Sequence, residues 1–350
     1  MRGSFAPGRL EQMAVPMSTV RSIGLLGEYK GKQQLFERQS PQLLSSLREV
    51  ARVQSIESSN RIEGVVAGVG RVAELAAQKT APINRSEQEI AGYRDALATV
   101  HANAQGMDVT SELILQLHRD LYQFTAMPGG AWKRTENDIV DVLPDGTHRV
   151  RFSPVAPHLV ETAMMELVDG YRRTASQGRV DSLVSIPAFV LDFLCIHPFT
   201  DGNGRLSRIL NLMLLYQGGY DVGRYISIEK IIEDTKDTYY EALEASSAGW
   251  HDGTHDLAPW LEYSHGVLIA AYFEFEQRVG QIGGGRGAKR DMVAEAIRHM
   301  PPKFRYADVE RVCPGVSRPT IVRVLGTLRD NGEIRCIKGG RDATWERIDQ

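Results

Sequence analysis

His197-Pro-Phe-Thr-Asp-Gly-Asn-Gly-Arg-Leu-Ser-Arg208 places a proton acceptor, a carboxylate, a Gly-Asn-Gly turn and two arginines within twelve residues. That inventory suits the transfer of a phosphate-containing group. Glycines on both sides of Asn203, at Gly202 and Gly204, let backbone N–H groups come close to an anion. If a helix starts there, its unpaired amides and positive dipole end face the same anion. Arg205 and Arg208 are three apart on that helix, on nearly one face, where both reach phosphate oxygens. Asp201 is a hard oxygen ligand beside the turn, suited to a Mg2+ ion that bridges phosphates. His197 stands next to the anion site, where a neutral imidazole accepts a proton from an attacking hydroxyl. A Gly-Asn-Gly turn alone often joins helices, and a His-Pro pair often ends one. Their combination at these spacings, in a helix–turn–helix setting without strands, points to chemistry.

Outward from the motif the patterning is helical. Gln42–Ser58 carries Leu43, Leu47, Val50 and Ala51 at amphipathic spacing. A helix begins near Ser86, with Glu87 and Glu89 in its first turn and Ile90, Tyr93 and Leu97 on one face. Thr110 is an N-cap for the next, which carries Leu113, Leu117 and Leu121 and is followed by Gly129-Gly130. His158–Tyr171 and a helix from Asp181 to Ile196, with Pro187 as an early-turn proline or mild kink, lead into the motif. After it, Ile209, Leu212, Met213 and Leu215 line a helix stopped by Gly218-Gly219. Single helices are expected over Ile228–Ser247 and Leu257–Val279. Residues 137–152 change period: apolar strands flank Pro144-Asp145-Gly146-Thr147, a β-hairpin signal. Met1–Pro16 is rich in Gly, Pro and small residues and reads as a loose arm.

At 350 residues the chain calls for two or three domains. Its 42% hydrophobic and 24% charged residues are those of a globular protein. No apolar run approaches a membrane span, and the first residues lack a secretory signal pattern. Cys195, Cys313 and Cys336 have no metal spacing and read as reduced thiols of a cytoplasmic protein. Cys195 precedes His197 by two but sits in an apolar run, which reads as core.

Gly280–Gly287 holds five glycines and reads as a linker. From Arg286 onward fourteen Lys/Arg stand against nine Asp/Glu, about +5, which leaves about −8 on the rest because the whole is −3. Helices are expected at Lys289–His299, Tyr306–Val312 and Ser317–Asn331, then two short strands around Gly339-Gly340. Three helices and a hairpin make a winged helix, with Ser317 capping the third helix and Arg318, Thr320 and Arg323 near a major groove. Winged helices also serve as protein-interaction modules, so DNA and protein partners both stand.

The dodecapeptide matches at every specified position the HPFx[D/E]GNGRxxR signature of the Fic (filamentation induced by cAMP) family. The chain resembles larger bacterial members over roughly residues 20–280. The resemblance implies an all-α fold: a helical bundle with one β-hairpin flap, plus a C-terminal winged-helix domain. The implied boundaries are 1–105 for an N-terminal helical extension, 106–280 for the catalytic core, 281–287 for the linker and 288–350 for the winged helix. It implies a protein adenylyltransferase that moves AMP from ATP to a Ser, Thr or Tyr hydroxyl of a target protein and of itself. By the same resemblance His197 is the base and Asp201 holds Mg2+ against the α- and β-phosphates. Gly202, Asn203 and Gly204 form the anion cradle with Leu206 and Ser207 on the same turn, and Asn203 reaches the α-phosphate. Arg205 neutralises the β-phosphate and Arg208 meets the γ-phosphate. Tyr239 and Tyr240 resemble tyrosines placed near the adenine, and read equally well as core aromatics.

Ser58-Ser59-Asn60-Arg61-Ile62-Glu63-Gly64 is similar to the family's inhibitory [S/T]xxxE[G/N] motif, with Ser59 and Glu63 at its ends. By resemblance Glu63 pairs with Arg208 in the place that the γ-phosphate needs. The hairpin at 137–152 would dock target backbone by β-augmentation, with Lys133 and Arg134 positioning the acceptor. Hydrolytic removal of AMP by the same site, another nucleotide donor, and DNA-binding regulation through the winged helix are the competing readings. Oligomeric state stays open, a homodimer through the C-terminal unit included.

Overall fold

The computed structural model describes residues 3–348 except 40, 69, 128, 143–146, 280–289, 291–292, 295, 298–299, 301, 314–315 and 341–342. The described helices begin with α1 (Met17–Gln39), α2 (Pro41–Ile62), α3 (Arg71–Ala76), α4 (Arg85–Asn103), α5 (Ser111–Leu121), α6 (Val160–Gln177) and α7 (Ser182–Ile196). They continue with α8 (Asn203–Gln217), α9 (Ile228–Asp234), α10 (Lys236–Ser247), α11 (Ala258–Val279), α12 (Tyr306–Val312) and α13 (Arg318–Asp330). The strands are β1 (Ile139–Val142), β2 (His148–Phe152), β3 (Lys303–Arg305), β4 (Ile334–Lys338) and β5 (Thr344–Arg347). The fold is mostly helical with two small antiparallel sheets, as the patterning implies. Two compact units interleave along the chain: Met1–Ala14, Ser55–Tyr220 and Glu241–Leu261 form the first, and Val15–Gln54, Asp221–Tyr240 and Glu262–Gln350 the second.

The first unit is organised by α7, which is buried throughout from Leu183 to Ile196. A helix apolar on every side belongs in a core, and here α6 and α8 pack against it while α4 and α5 pack against α8. Caps set the helix starts. Asn84 accepts from Glu87 N–H, Thr110 from Leu113 N–H and Asp181 from Leu183 N–H. The hairpin pairs Val140 with Val150 and Ile139 with Phe152, with an irregularity between Ile139 and Val140. Its expected Pro144-Asp145-Gly146 turn lies outside the described residues.

Four expectations are corrected here. The segment Met1–Pro16 is not a loose arm, because residues 3–14 fold onto the first unit. Asp192, the one charged residue of α7, is 0% exposed and needs donors. Ser4 supplies two, its N–H at 2.7 Å and its hydroxyl at 2.8 Å, and Trp250 Nε1–H a third at 2.6 Å. Phe5 sits edge-on to Tyr171. Burial still pushes the Asp192 carboxyl up to about 6. Next, α2 runs on to Ile62, beyond the expected end at Ser58. Third, Ile228–Ser247 is two helices, broken at Thr235, whose Oγ1 donates to Ile231 O at 2.7 Å and lies 2.9 Å from Tyr263 Oη.

The fourth correction concerns the second unit. Its C-terminal sheet has three strands in the order β3-β5-β4, because Lys303–Arg305 pairs with Thr344–Arg347 ahead of α12. Ser317 holds the N-cap position of α13 without making the capping bond; its Oγ lies 3.0 Å from Thr320 Oγ1. Arg318 and Arg323 are exposed, and the Arg318 guanidinium lies over the Tyr306 ring. The glycine-rich linker and part of the expected helix Lys289–His299 lie outside the described residues. Cys195 and Cys313 are buried, Cys336 is exposed, and all three are free thiols. Among the described residues no helix is long and apolar enough to cross a membrane.

Candidate active site

The motif is a tight loop between two buried helices. Helix α7 ends at His197, whose left-handed backbone (φ 50°) turns the chain sharply while its N–H still bonds Phe193 O at 2.9 Å. Such a conformation costs about 1–2 kcal/mol for a residue with a Cβ. The imidazole Nδ1 lies 3.3 Å from Leu194 O. That carbonyl can only accept, so the ring hydrogen sits on Nδ1 and Nε2 keeps a bare lone pair. Burial, with the positive charge of Lys133 adding to it, holds the imidazole down to about 4. His197 is therefore neutral at pH 7 and ready to accept a proton.

Asn203 closes the loop. Phe199 N–H donates to its Oδ1 at 2.9 Å, and its Nδ2 donates to Phe199 O at 2.7 Å. Asn137, just ahead of the hairpin, donates to the same carbonyl at 2.9 Å. The Asn203 side chain, assigned by resemblance to the α-phosphate, is thus engaged in loop closure, and what it presents at the helix start is its backbone. Gly202 caps α8 at φ 84° with no side-chain capping bond, so the helix start is a place that suits an anion. Leu206 and Ser207 are buried, with Ser207 Oγ donating to Gly204 O at 2.8 Å, so their side chains face the bundle. The Asp201 carboxylate is half exposed and accepts from Gly202 N–H at 2.7 Å.

The two arginines differ. Arg205 is 1% exposed; it pairs with Glu89 at 2.8 Å, donates to Tyr122 Oη at 2.8 Å and reaches Asn60 Oδ1 at 3.3 Å. Among the described residues its buried Nε has no hydrogen-bond partner. Arg208, one turn on, donates from Nε to Ser59 Oγ at 2.8 Å, and from Nη2 to Ser59 O at 2.9 Å and to Glu63 Oε1 at 2.8 Å. Glu63 follows the last residue of α2, in a turn closed by Gly64 N–H to Arg61 O and Val65 N–H to Asn60 O. Its carboxylate rests on Gly204, where a Cβ would overlap it. An acidic side chain thus lies on the first turn of α8, where the motif's spacing places an anion.

Reading the sequence missed three residues of this site. Glu89 reads there as a first-turn acid complementing the helix dipole; in the structure it is 4% exposed and neutralises Arg205. His118 is 5% exposed and touches the loop itself. Its spacing from Ile114 and Leu121, four before and three after, puts it on the apolar face of α5 and was the available signal. Tyr122 is the third, with its hydroxyl on Arg205. Lys133 is 3% exposed, donates to Asn137 Oδ1 at 2.6 Å and bonds Pro198 O through its N–H at 2.9 Å. Arg134 is exposed. Tyr239 and Tyr240 belong to the second unit, where Tyr239 is 4% exposed and packs edge-on to Tyr240 and Tyr263.

Comparison with known proteins agrees with this geometry. The Fic/DOC family profile matches residues 108–215. A Fido domain-containing protein of Dictyostelium discoideum is 35% identical over 117 residues, which are 32% of this chain and 77% of that protein. The protein named protein adenylyltransferase Fic in Culex quinquefasciatus is 26% identical over 264 residues, 70% of this chain and 49% of its own length. The chain thus spans about half the length of that relative. A crystal structure of a Fic family protein from Desulfovibrio desulfuricans G20 superposes with a TM-score of 0.62 at 18% identity, covering 97% of this chain and 98% of that one.

Proposed function

The chain belongs to the Fic/DOC family, and from that premise we propose that it is a protein adenylyltransferase. It moves AMP from ATP to a Ser, Thr or Tyr hydroxyl of a target protein and of itself, and releases pyrophosphate. The observation that carries the reading is the meeting of three things on one loop: a neutral His197, an exposed Asp201 and the N-terminus of α8, which has no side-chain cap of its own. Similarity to proteins named protein adenylyltransferase supports it.

In this reading His197 Nε2 takes the proton of the acceptor hydroxyl as its oxygen attacks the α-phosphorus. The bond to the leaving pyrophosphate breaks in line, and the proton stays on the imidazole. Such a transfer gains most from positioning and charge stabilisation, which a rigid loop and fixed cations supply. The backbone N–H groups at the start of α8 face the phosphates, and Arg208 meets the γ-phosphate. Arg205 acts as a buried positive charge behind the β-phosphate. Among the described residues no cluster of three or more His, Cys, Asp or Glu forms a metal cage. A Mg2+ ion held by one carboxylate and the phosphates themselves needs none, and the exposed Asp201 carboxylate fits that donor set. Bound there, the ion would neutralise phosphate charge.

Glu63 makes the site autoinhibited. Its carboxylate occupies Arg208 and the start of α8, the two features a γ-phosphate needs. A charge-assisted bond contributes about 1.5–3 kcal/mol, which lowers productive ATP binding about tenfold to a hundredfold. The exposed Val140 and Val150 of the hairpin suit docking of target backbone along a strand edge. Residues 288–350 act as a winged helix that brings a partner to the catalytic core; the exposed Arg318 and Arg323 on α13 are its candidate contacts.

Intact mass after incubation with Mg2+ and ATP tests the reading. Glu63→Gly should gain an AMP mass that wild type gains slowly and that Glu63→Gly with His197→Ala does not gain. Equal labelling of wild type and Glu63→Gly would overturn the autoinhibition, and labelling that survives His197→Ala would overturn the base assignment.

A further inference from the structure

We infer that His118 is a positioning residue for the motif loop, holding the backbone of Asp201 so that its carboxylate stays beside the reacting phosphates. This rests on the adenylyltransferase reading for its purpose but not for its geometry. Gly130 N–H donates to His118 Nδ1 at 2.8 Å. Nδ1 is therefore an acceptor and the ring hydrogen is on Nε2, which lies 3.0 Å from Asp201 O and donates to it. One neutral tautomer satisfies both bonds. The same ring stacks on Phe199 with centroids 3.7 Å apart and planes within 6°. His118 thus touches the loop at two of its residues, on either side of Thr200.

The arrangement is built from both directions. His118 is set in α5 between Leu117, buried, and the turn that leads to Gly129-Gly130. That turn folds back so close to α5 that a Cβ on Gly130 would press on Leu115 O and the Arg119 side chain, and its φ of 78° suits glycine. The close return is what brings Gly130 N–H to the imidazole. On the other side, Phe199 is 0% exposed and its backbone is held by Asn203 and Asn137. Asp201 O is therefore the point where α5 takes hold of the loop between the Phe199 clamp and α8. A histidine serving only as core filling would need partners anywhere in the bundle; this one spends its single donor on the backbone of the residue assigned to the metal. Displacements of about 1 Å at such a position cost up to about a hundredfold in rate.

Two substitutions separate its two bonds. His118→Gln keeps an N–H donor near the Nε2 position, and His118→Asn keeps only an acceptor near the Nδ1 position. Both are placed in the Glu63→Gly background and compared by amide hydrogen exchange at Phe199–Asn203 and by the Mg2+ concentration for half-maximal AMP transfer. His118→Asn should speed loop exchange and raise the Mg2+ requirement about tenfold or more, with Glu63→Gly, His118→Gln close to the parent in both. Identical behaviour of the two variants, or loop exchange unchanged in both, would overturn the proposal. Should His118→Asn fail to fold, His118→Gln decides alone: parent-like exchange upholds the proposal and a tenfold rise in an intact fold overturns it. If exchange follows expectation while the parent transfers no AMP, the positioning stands and the adenylyltransferase reading falls.

Discussion

Arg205 and Arg208 lie three residues apart on α8 and carry the same charge, yet their surroundings differ. Glu89, the nearer acidic partner of Arg205 at 2.8 Å, keeps only 6% of its side chain exposed; Tyr122 and Asn60 bond the same guanidinium, and the half-exposed Asp201 carboxylate lies farther off at 3.9 Å. Glu63, the partner of Arg208, keeps 32% exposed and sits in a turn outside any helix. A charge enclosed by buried partners cannot exchange them without leaving an ion stranded in a low-dielectric interior. A charge held by a partly solvated carboxylate can, because water and a phosphate are both available replacements. The pair therefore divides into a charge held by a buried acid and one whose acidic partner is partly solvated.

The sharpest way to break this comparison is to remove each acid. Glu89→Ala should cost about 3–5 kcal/mol in urea unfolding, because it strands the Arg205 guanidinium. Glu63→Ala should cost less, about 1.5–3 kcal/mol, because the Ser59 hydroxyl and carbonyl still hold Arg208. Equal losses would end the distinction. Next in size, Arg208→Ala in the Glu63→Gly background should weaken ATP binding by about 1.5–3 kcal/mol in titration calorimetry, tenfold to a hundredfold. Unchanged affinity would show that the exchangeable arginine is not exchanged for phosphate. The smallest effect belongs to Ser59→Ala, which removes the hydroxyl but leaves the Ser59 carbonyl on Arg208. It should raise AMP transfer by a few-fold, about 0.5–1.5 kcal/mol of lost inhibition. A release as large as that of Glu63→Gly would move the centre of control from the carboxylate to the helix end.

The parts of this site that were legible in the sequence are those whose partners are neighbours along the chain. The twelve residues from His197 to Arg208 carry a turn, a cap and a helix start, so their chemistry is local and their spacing is informative. Glu63 was legible at a distance only through a motif. Glu89 and His118 were not, because their meaning comes from what packs on them. A glutamate in a first turn looks the same whether it faces water or a buried guanidinium. A histidine on an apolar face looks like filling until a loop from another segment accepts its hydrogen bond. The same holds for Asp192, a carboxylate inside the most apolar helix, whose donors come from Ser4 and Trp250. Composition marked the first sixteen residues as loose because it cannot register an unsatisfied carboxylate elsewhere. The split at Thr235 likewise depends on a hydroxyl that takes a carbonyl from its own helix and meets Tyr263.

The hold of Ser4 on Asp192 has a practical bearing. Asp192 lies five residues before His197, so the hold of Ser4 ties the first described residues to the helix that leads into the motif loop. A tag fused close ahead of Ser4 is expected to disturb that helix.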